Sequence, residues 1–187
     1  MKKNKTNPLQ LALIVVIIII IITFIFYVIY SSSNSETLKE FNKEGYDSTN
    51  KDLFYKKITT NNTLKDYYKD ISNNTESKYQ EFYFTKNSTD FIELKMIYQN
   101  GVTTSLNIIS NLKTDETQFN YELSYKDAHL ILEGNKKNNY ECQVIKNYKV
   151  SVETTSKYCE MIKDEMEEFN QEKESLLKNE KIKSLIK

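Results

Sequence analysis

The chain has 187 residues in which 26 basic residues, every one a lysine, balance 26 acids, with one histidine and no tryptophan. Beyond Lys2, Lys3 and Lys5 the remainder holds 23 lysines against 26 acids, a balance that gives no reason to expect nucleic acid. Without arginine there is no planar fork for bidentate capture of phosphate or carboxylate.

Abundant Lys, Asn, Ile and Tyr fit the codon bias of a low-G+C, bacterial genome. Residues 1–10 read as a cytoplasmic tail. Residues 11–30 follow as a transmembrane anchor. Leu11 to Ile29 contains one polar residue, Thr23, and as a helix would span about 28 Å, close to the ~30 Å of a bilayer core. Bulky Tyr27, Ile29 and Tyr30 crowd the place where a signal peptidase needs small residues, although Ser31 to Ser33 keep cleavage as an alternative. Three lysines precede the run and none follows before Lys39. The positive-inside rule therefore puts the N-terminus in the cytoplasm and the rest outside, as a single-pass plasma-membrane protein. Residues 31–35 form a short linker, and residues 36–187 supply one extracytoplasmic domain.

That domain opens with helical signals. Leu38 and Phe41 mark a first short helix, and Leu53, Phe54 and Ile58 suggest a second after an Asp47 to Asn50 loop. Leu64, Tyr67, Tyr68 and Ile71 have the spacing of a helical face, with Thr63 and Asp66 as a capping box. From Tyr79 the period becomes two. Ile92, Leu94, Met96 and Tyr98 alternate with Glu93, Lys95 and Ile97. A three-residue loop, Gln99 to Gly101, would keep the apolar rows of the flanking strands on one face, pairing Tyr98 with Val102 and Leu94 with Leu106.

A Lys113 to Glu116 loop then sets Leu106 opposite Leu123, and a tight Lys126-Asp127 turn sets Leu123 opposite Leu130. Tyr140, Cys142, Val144, Tyr148, Val150 and Val152 share one phase and predict a long bent strand interrupted at Lys146. The fold class is α+β: about six antiparallel strands in a meander, apolar on one face and polar on the other. A long amphipathic C-terminal helix packs on the apolar face through Cys159, Ile162, Met166, Phe169 and Leu176, with Lys173 as a gap. The element order resembles a helix-grip or half-barrel arrangement, which implies a curved sheet around a helix with room for an apolar cavity.

Chemistry is sparse. Cys142 and Cys159 fall in the same sheet–helix layer, so outside the cell they predict a disulfide, the alternative being two buried thiols that never meet. The sequence shows no metal-ligand spacing, no phosphate-binding glycine loop and no G-x-S-x-G elbow, so no catalytic, cofactor or metal residue is assigned. His129 falls on the solvent side of its strand. Glu165, Glu167 and Glu168 read as a solvated helix face. Tyr98, Tyr121 and Tyr125 could line an aromatic groove. These features predict a membrane-anchored envelope protein with a non-enzymatic accessory or binding role and an envelope or membrane protein as partner. The alternatives are a carrier of a lipid or other hydrophobic ligand between sheet and helix, and a carboxylate-dependent envelope enzyme.

Overall fold

A computed structural model describes residues 19–23, 26–27, 36–50, 53–58, 63–86, 88–136 and 141–186. It divides into two units, Met1–Lys39 and Glu40–Lys187, the second beginning four residues after the expected domain boundary at 36. The expected tail, anchor and linker lie mostly outside the described residues. Within them 19–23 and 26–27 are helical. Thr23 there returns its hydroxyl to the carbonyls of Ile19 and Ile20 at 3.0 and 2.9 Å, which is how a helix in apolar sequence satisfies a hydroxyl. Among the described residues no helix is long and apolar enough to cross a membrane.

Residues 36–43 are helical (α1). The chain then forms β1 (Asp47–Asn50), β2 (Leu53–Lys57), α2 (Leu64–Ser72), β3 (Ser77–Thr85), β4 (Asp90–Gln99), β5 (Val102–Asn111), β6 (Glu116–Tyr125), β7 (Ala128–Asn135), β8 (Gln143–Tyr148), α3 (Val152–Leu177) and α4 (Glu180–Leu185). The strands make one antiparallel sheet in sequential order, eight strands where six were expected. Both additions come from the segment read as a second helix and its preceding loop. Leu53, Phe54 and Ile58 are too few to define a period, and Phe54 instead turns inward from β2 to stack on Phe41, ring centroids 4.0 Å apart.

The decisive departure is at Asn100-Gly101. Both residues have positive φ, 53° and 77°, and form a two-residue hairpin that pairs Gln99 with Val102 and Tyr98 with Thr103. The expected three-residue loop is wrong by one residue, so the apolar row of β4 faces away from that of β5. The energetic objection to this register disappears because the sheet is covered on both faces at β4. On the inner face α3 closes over Phe82, Phe91, Leu106, Ile108, Phe119, Leu130 and Leu132, with Ile162, Met166 and Phe169 pointing into the layer. On the outer face α2 lays Tyr67 against Tyr79 and Tyr98, with Ile71, Leu94 and Met96 around them. The Thr63 and Asp66 capping box of α2 forms as expected.

Other registers divide similarly. Leu123 pairs with Leu130 and Tyr121 with Leu132 across the Lys126-Asp127 turn, as expected. Leu106 pairs with Tyr121 and not Leu123, a slip of two residues that preserves the face. The long final strand is shorter than its pattern: a register shift opposite Ile131/Leu132 breaks the phase. Lys149 then turns at φ 58°, and Ser151 caps α3, accepting from the Thr154 amide at 3.1 Å. Val152 therefore begins a helix, 82% exposed, and Tyr140 lies outside the described residues. The C-terminal helix also breaks. Asn179 caps α4 by accepting from the amides of Lys181 and Ile182 at 3.1 and 3.3 Å.

Candidate functional site

The Asn100-Gly101 hairpin determines what lies beneath α3. With that register Glu93, Lys95 and Ile97 of β4 face inward beside Leu106 and Ile108 of β5, and Tyr121 of β6 follows in the same row as Lys95 and Leu106. From α3, Tyr158, Met161 and Glu165 recur at three- and four-residue intervals along one helix stripe. Between these surfaces runs a groove of about 300 Å³ whose walls include Lys95, Ile97, Leu106, Tyr121, Tyr158, Met161 and Glu165. The Tyr121 and Tyr158 rings meet at its edge, centroids 5.4 Å apart.

Polar groups at and behind this groove are unusually deep. Lys95 and Glu165 form an ion pair with side chains only 10% and 16% exposed, so Glu165 is not on a solvated face as its acid-rich sequence suggested. Two residues along β4, Glu93 is 1% exposed. The Gln80 amide donates to its Oε1 at 2.7 Å, while its Oε2 has no hydrogen-bond partner. Burial pushes this carboxyl up to about 7, with nearby Glu165 and Glu168 adding to the effect and Gln80 and Lys95 opposing it. Tyr121 is also 1% exposed and its hydroxyl is without a partner. Burial raises its pKa far above that of an ordinary phenol, keeping it a proton donor.

The residues expected in an aromatic groove do not converge. Tyr98 belongs to the outer-face cluster and donates to Asn74 at the end of α2. Tyr98 and Tyr125 share a shallow hollow around Asn100 and Gly101, while Tyr121 belongs to the groove under α3. Cys142 and Cys159 are bonded, their Cα atoms 5.8 Å apart, and so tie the start of β8 to α3 one residue from Tyr158. His129 lies on the outer face beside Glu122, its Nε2 at 2.7 Å from the carboxylate.

Lys173, the apparent gap in the α3 stripe, is buried: its ammonium donates to Ser110 and Asp115, each at 3.2 Å, and Thr117 donates to Ser110 at 2.8 Å. A second buried acid, Glu81, lies on the outer face, bonded by Tyr83 and paired with Lys57 at 3.4 Å. Every polar group of these last two clusters named here has a protein partner, which is the mark of structural polar networks. Among the described residues no three His, Cys, Asp or Glu side chains gather as metal ligands.

Sequence reading missed Glu93 and Lys95 because it placed them on the solvent side of β4. The signal that could have found them is the Asn-Gly dipeptide, the strongest short-range mark of a two-residue hairpin. Compared with family models, with curated proteins and with solved structures, the chain gives no match.

Proposed function

We propose that this chain is a non-enzymatic binding protein of the cell envelope, displaying its α+β domain outside the membrane on an N-terminal anchor and taking an apolar ligand into the groove beneath α3. The observation that carries the binding reading is a ligand-sized groove with Ile97, Leu106, Tyr158 and Met161 in its walls and its one ion pair already neutralised, in a sheet–helix layer elsewhere filled by aromatic rings. The anchor reading rests on the apolar run from Leu11 to Ile29 and the lysines before it.

A carboxylate-dependent enzyme is the second reading, favoured by one observation: Glu93 and Glu165 sit near each other, and burial lets Glu93 keep its proton up to about 7, as a general acid requires. It ranks lower because Glu93 is sealed at 1% exposure behind the groove, out of reach of a substrate.

Two measurements test the proposal on the full chain. Protease added to intact cells should remove the domain; protection that disappears on lysis would refute the external location. Thr104 is half-buried in the groove wall, so Thr104→Trp should plug it. Apolar compounds that raise the melting temperature of the wild type should then leave the plugged variant unchanged, and equal shifts in both would remove the groove from the reading.

A further inference from the structure

Beyond the strands that α2 covers, the outer face of the sheet carries a polar ladder. Asn107, Asn120, Glu133 and Gln143 pair in succession across β5, β6, β7 and β8, and the row beside them is Ile109, Gln118 and Asn135. Two hollows of about 240 and 650 Å³ follow these rows and share Ile109, Gln118 and Asn135, so they adjoin as one trough. Gln118, Asn120, Glu133 and Gln143 are exposed, and Asn107 and Ile109 are half-buried, so its side chains are within reach of an occupant.

Hydrogen bonding separates the engaged groups of the trough from the available ones. Glu133 accepts from the Asn120 amide at 3.0 Å, Asp90 from the Asn111 amide at 3.1 Å, and Asp115 from Lys136 and Lys173. The side chains of Asn107, Gln118 and Gln143 make no hydrogen bond among the described residues. An anion would meet these carboxylates with Lys136 already taken, and an ammonium would have to displace the amide and lysine donors that hold them. Three primary amides remain, each with two N–H donors and a carbonyl acceptor, and they suit groups that donate and accept at once, as hydroxyls do. A peptide offers such groups along its backbone, but β5, β6 and β7 are paired on both sides and no strand can be added here.

Size and spacing point the same way. At the ~30 Å³ that a water occupies in the liquid, the larger hollow holds about twenty heavy atoms, close to two sugar rings. The ladder advances at the ~4.8 Å strand spacing, near the length of one ring in a linked chain. It ends at β8, an edge strand exposed at all six residues, past which a chain can continue.

We infer that this trough binds an internal stretch of a neutral polysaccharide, whose hydroxyls exchange hydrogen bonds with Asn107, Gln118 and Gln143 while one ring lies over Ile109. Displayed outside the membrane, the domain would meet such chains in the envelope; that location is all the inference shares with the proposal above, because the groove beneath α3 lies on the opposite face.

The test follows glutamine side-chain amide resonances of the full chain in lipid nanodiscs. Gln118 and Gln143 report on the trough, and Gln80, buried against Glu93, is the internal control. The probes are glucose, cellobiose, cellotriose, triacetylchitotriose, trigalacturonate, the glucosamine trimer and tetraglycine. Cellotriose or triacetylchitotriose should move Gln118 and Gln143 and leave Gln80 in place, with affinity rising from one ring to three. Trigalacturonate, the glucosamine trimer and tetraglycine should bind at least tenfold more weakly. Gln118→Ala and Gln143→Ala should each weaken the neutral trisaccharide about three- to tenfold, the worth of one hydrogen bond, and melt as the wild type does. Thr104→Trp, which plugs the groove under α3, should leave saccharide binding unchanged.

A charged trimer or tetraglycine binding as tightly as the neutral trisaccharide overturns the ligand class. Glucose binding as tightly as the trimers overturns the polysaccharide, and affinity indifferent to both alanine variants removes the amides from recognition. If no probe moves Gln118 or Gln143, the trough is not a saccharide site, while the groove under α3 stands or falls by its own test.

Discussion

The Gln80 amide donates to Glu93 Oε1 at 2.7 Å across β3 and β4, and the other oxygen of that carboxyl is buried without a partner. An ionised carboxylate cannot rest comfortably there, so the proton it keeps until about pH 7 is part of the folded structure.

Glu93 makes stability fall as pH rises. Its folded pKa lies above the ordinary carboxylate value of the unfolded chain, so its stabilising contribution is complete below that value and is lost as pH rises through about 7. Glu93→Gln keeps the shape of the protonated carboxyl and removes the titration. In urea unfolding the variant should match the wild type near pH 5 and exceed it at pH 8 by on the order of 3 kcal/mol. A difference independent of pH would show that Glu93 does not titrate in this range.

The Lys95–Glu165 pair should behave as a buried pair whose partners depend on each other. Lys95→Met leaves Glu165 facing the apolar layer and should cost about 2–3 kcal/mol, less than a fully buried pair because Glu165 keeps 16% exposure. Adding Glu165→Leu should restore most of the loss. A double-mutant cycle with additive losses would mean that the pair is no more than a surface contact.

Gly134 is required by close approach. A Cβ at this position would lie 2.8 Å from Phe119 Cζ and 2.8 Å from the Glu141 carbonyl oxygen, and the second of these is backbone that cannot rotate away. Gly134→Ala should therefore destabilise by about 1–3 kcal/mol despite its small size, read from the shift in the urea midpoint. An unchanged midpoint would show that β7 and the segment at Glu141 can separate at no cost.

The Cys142–Cys159 bond spans 17 residues, and closing a loop of that length restricts the unfolded chain by about 3 kcal/mol. Reduction, or replacement of both cysteines by serine, should lower stability by about that amount. Because Cys159 neighbours Tyr158 in the groove wall, reduction should also change the melting-temperature shift that apolar compounds produce.

The positions of β3 to β7, the α2 capping box and the Leu123–Leu130 pairing are legible in the sequence because they rest on local period and turn length. What is not legible is which face each strand buries, because that depends on what covers the sheet. The apolar row Leu94, Met96 and Tyr98 is compatible with either face until Tyr67 of α2 is known to cover it. The site inherits this ambiguity. Glu93 and Lys95 look like solvent-facing charges until one residue of loop length turns them inward. Burial of Lys173 depends on partners 58 and 63 residues away, which no local pattern contains.

The double covering of the sheet has a consequence for how the molecule opens. β3 and β4 are sheltered by α2 on one side and α3 on the other, whereas all six residues of β8 are exposed and strand pairing holds it on one side alone. Backbone amides should therefore trade their protons for deuterium fastest at β8 and slowest at β3 and β4, a gradient running across the sheet. The disulfide is fastened at the fast end of that gradient, where a covalent tether does most to keep an edge from peeling away.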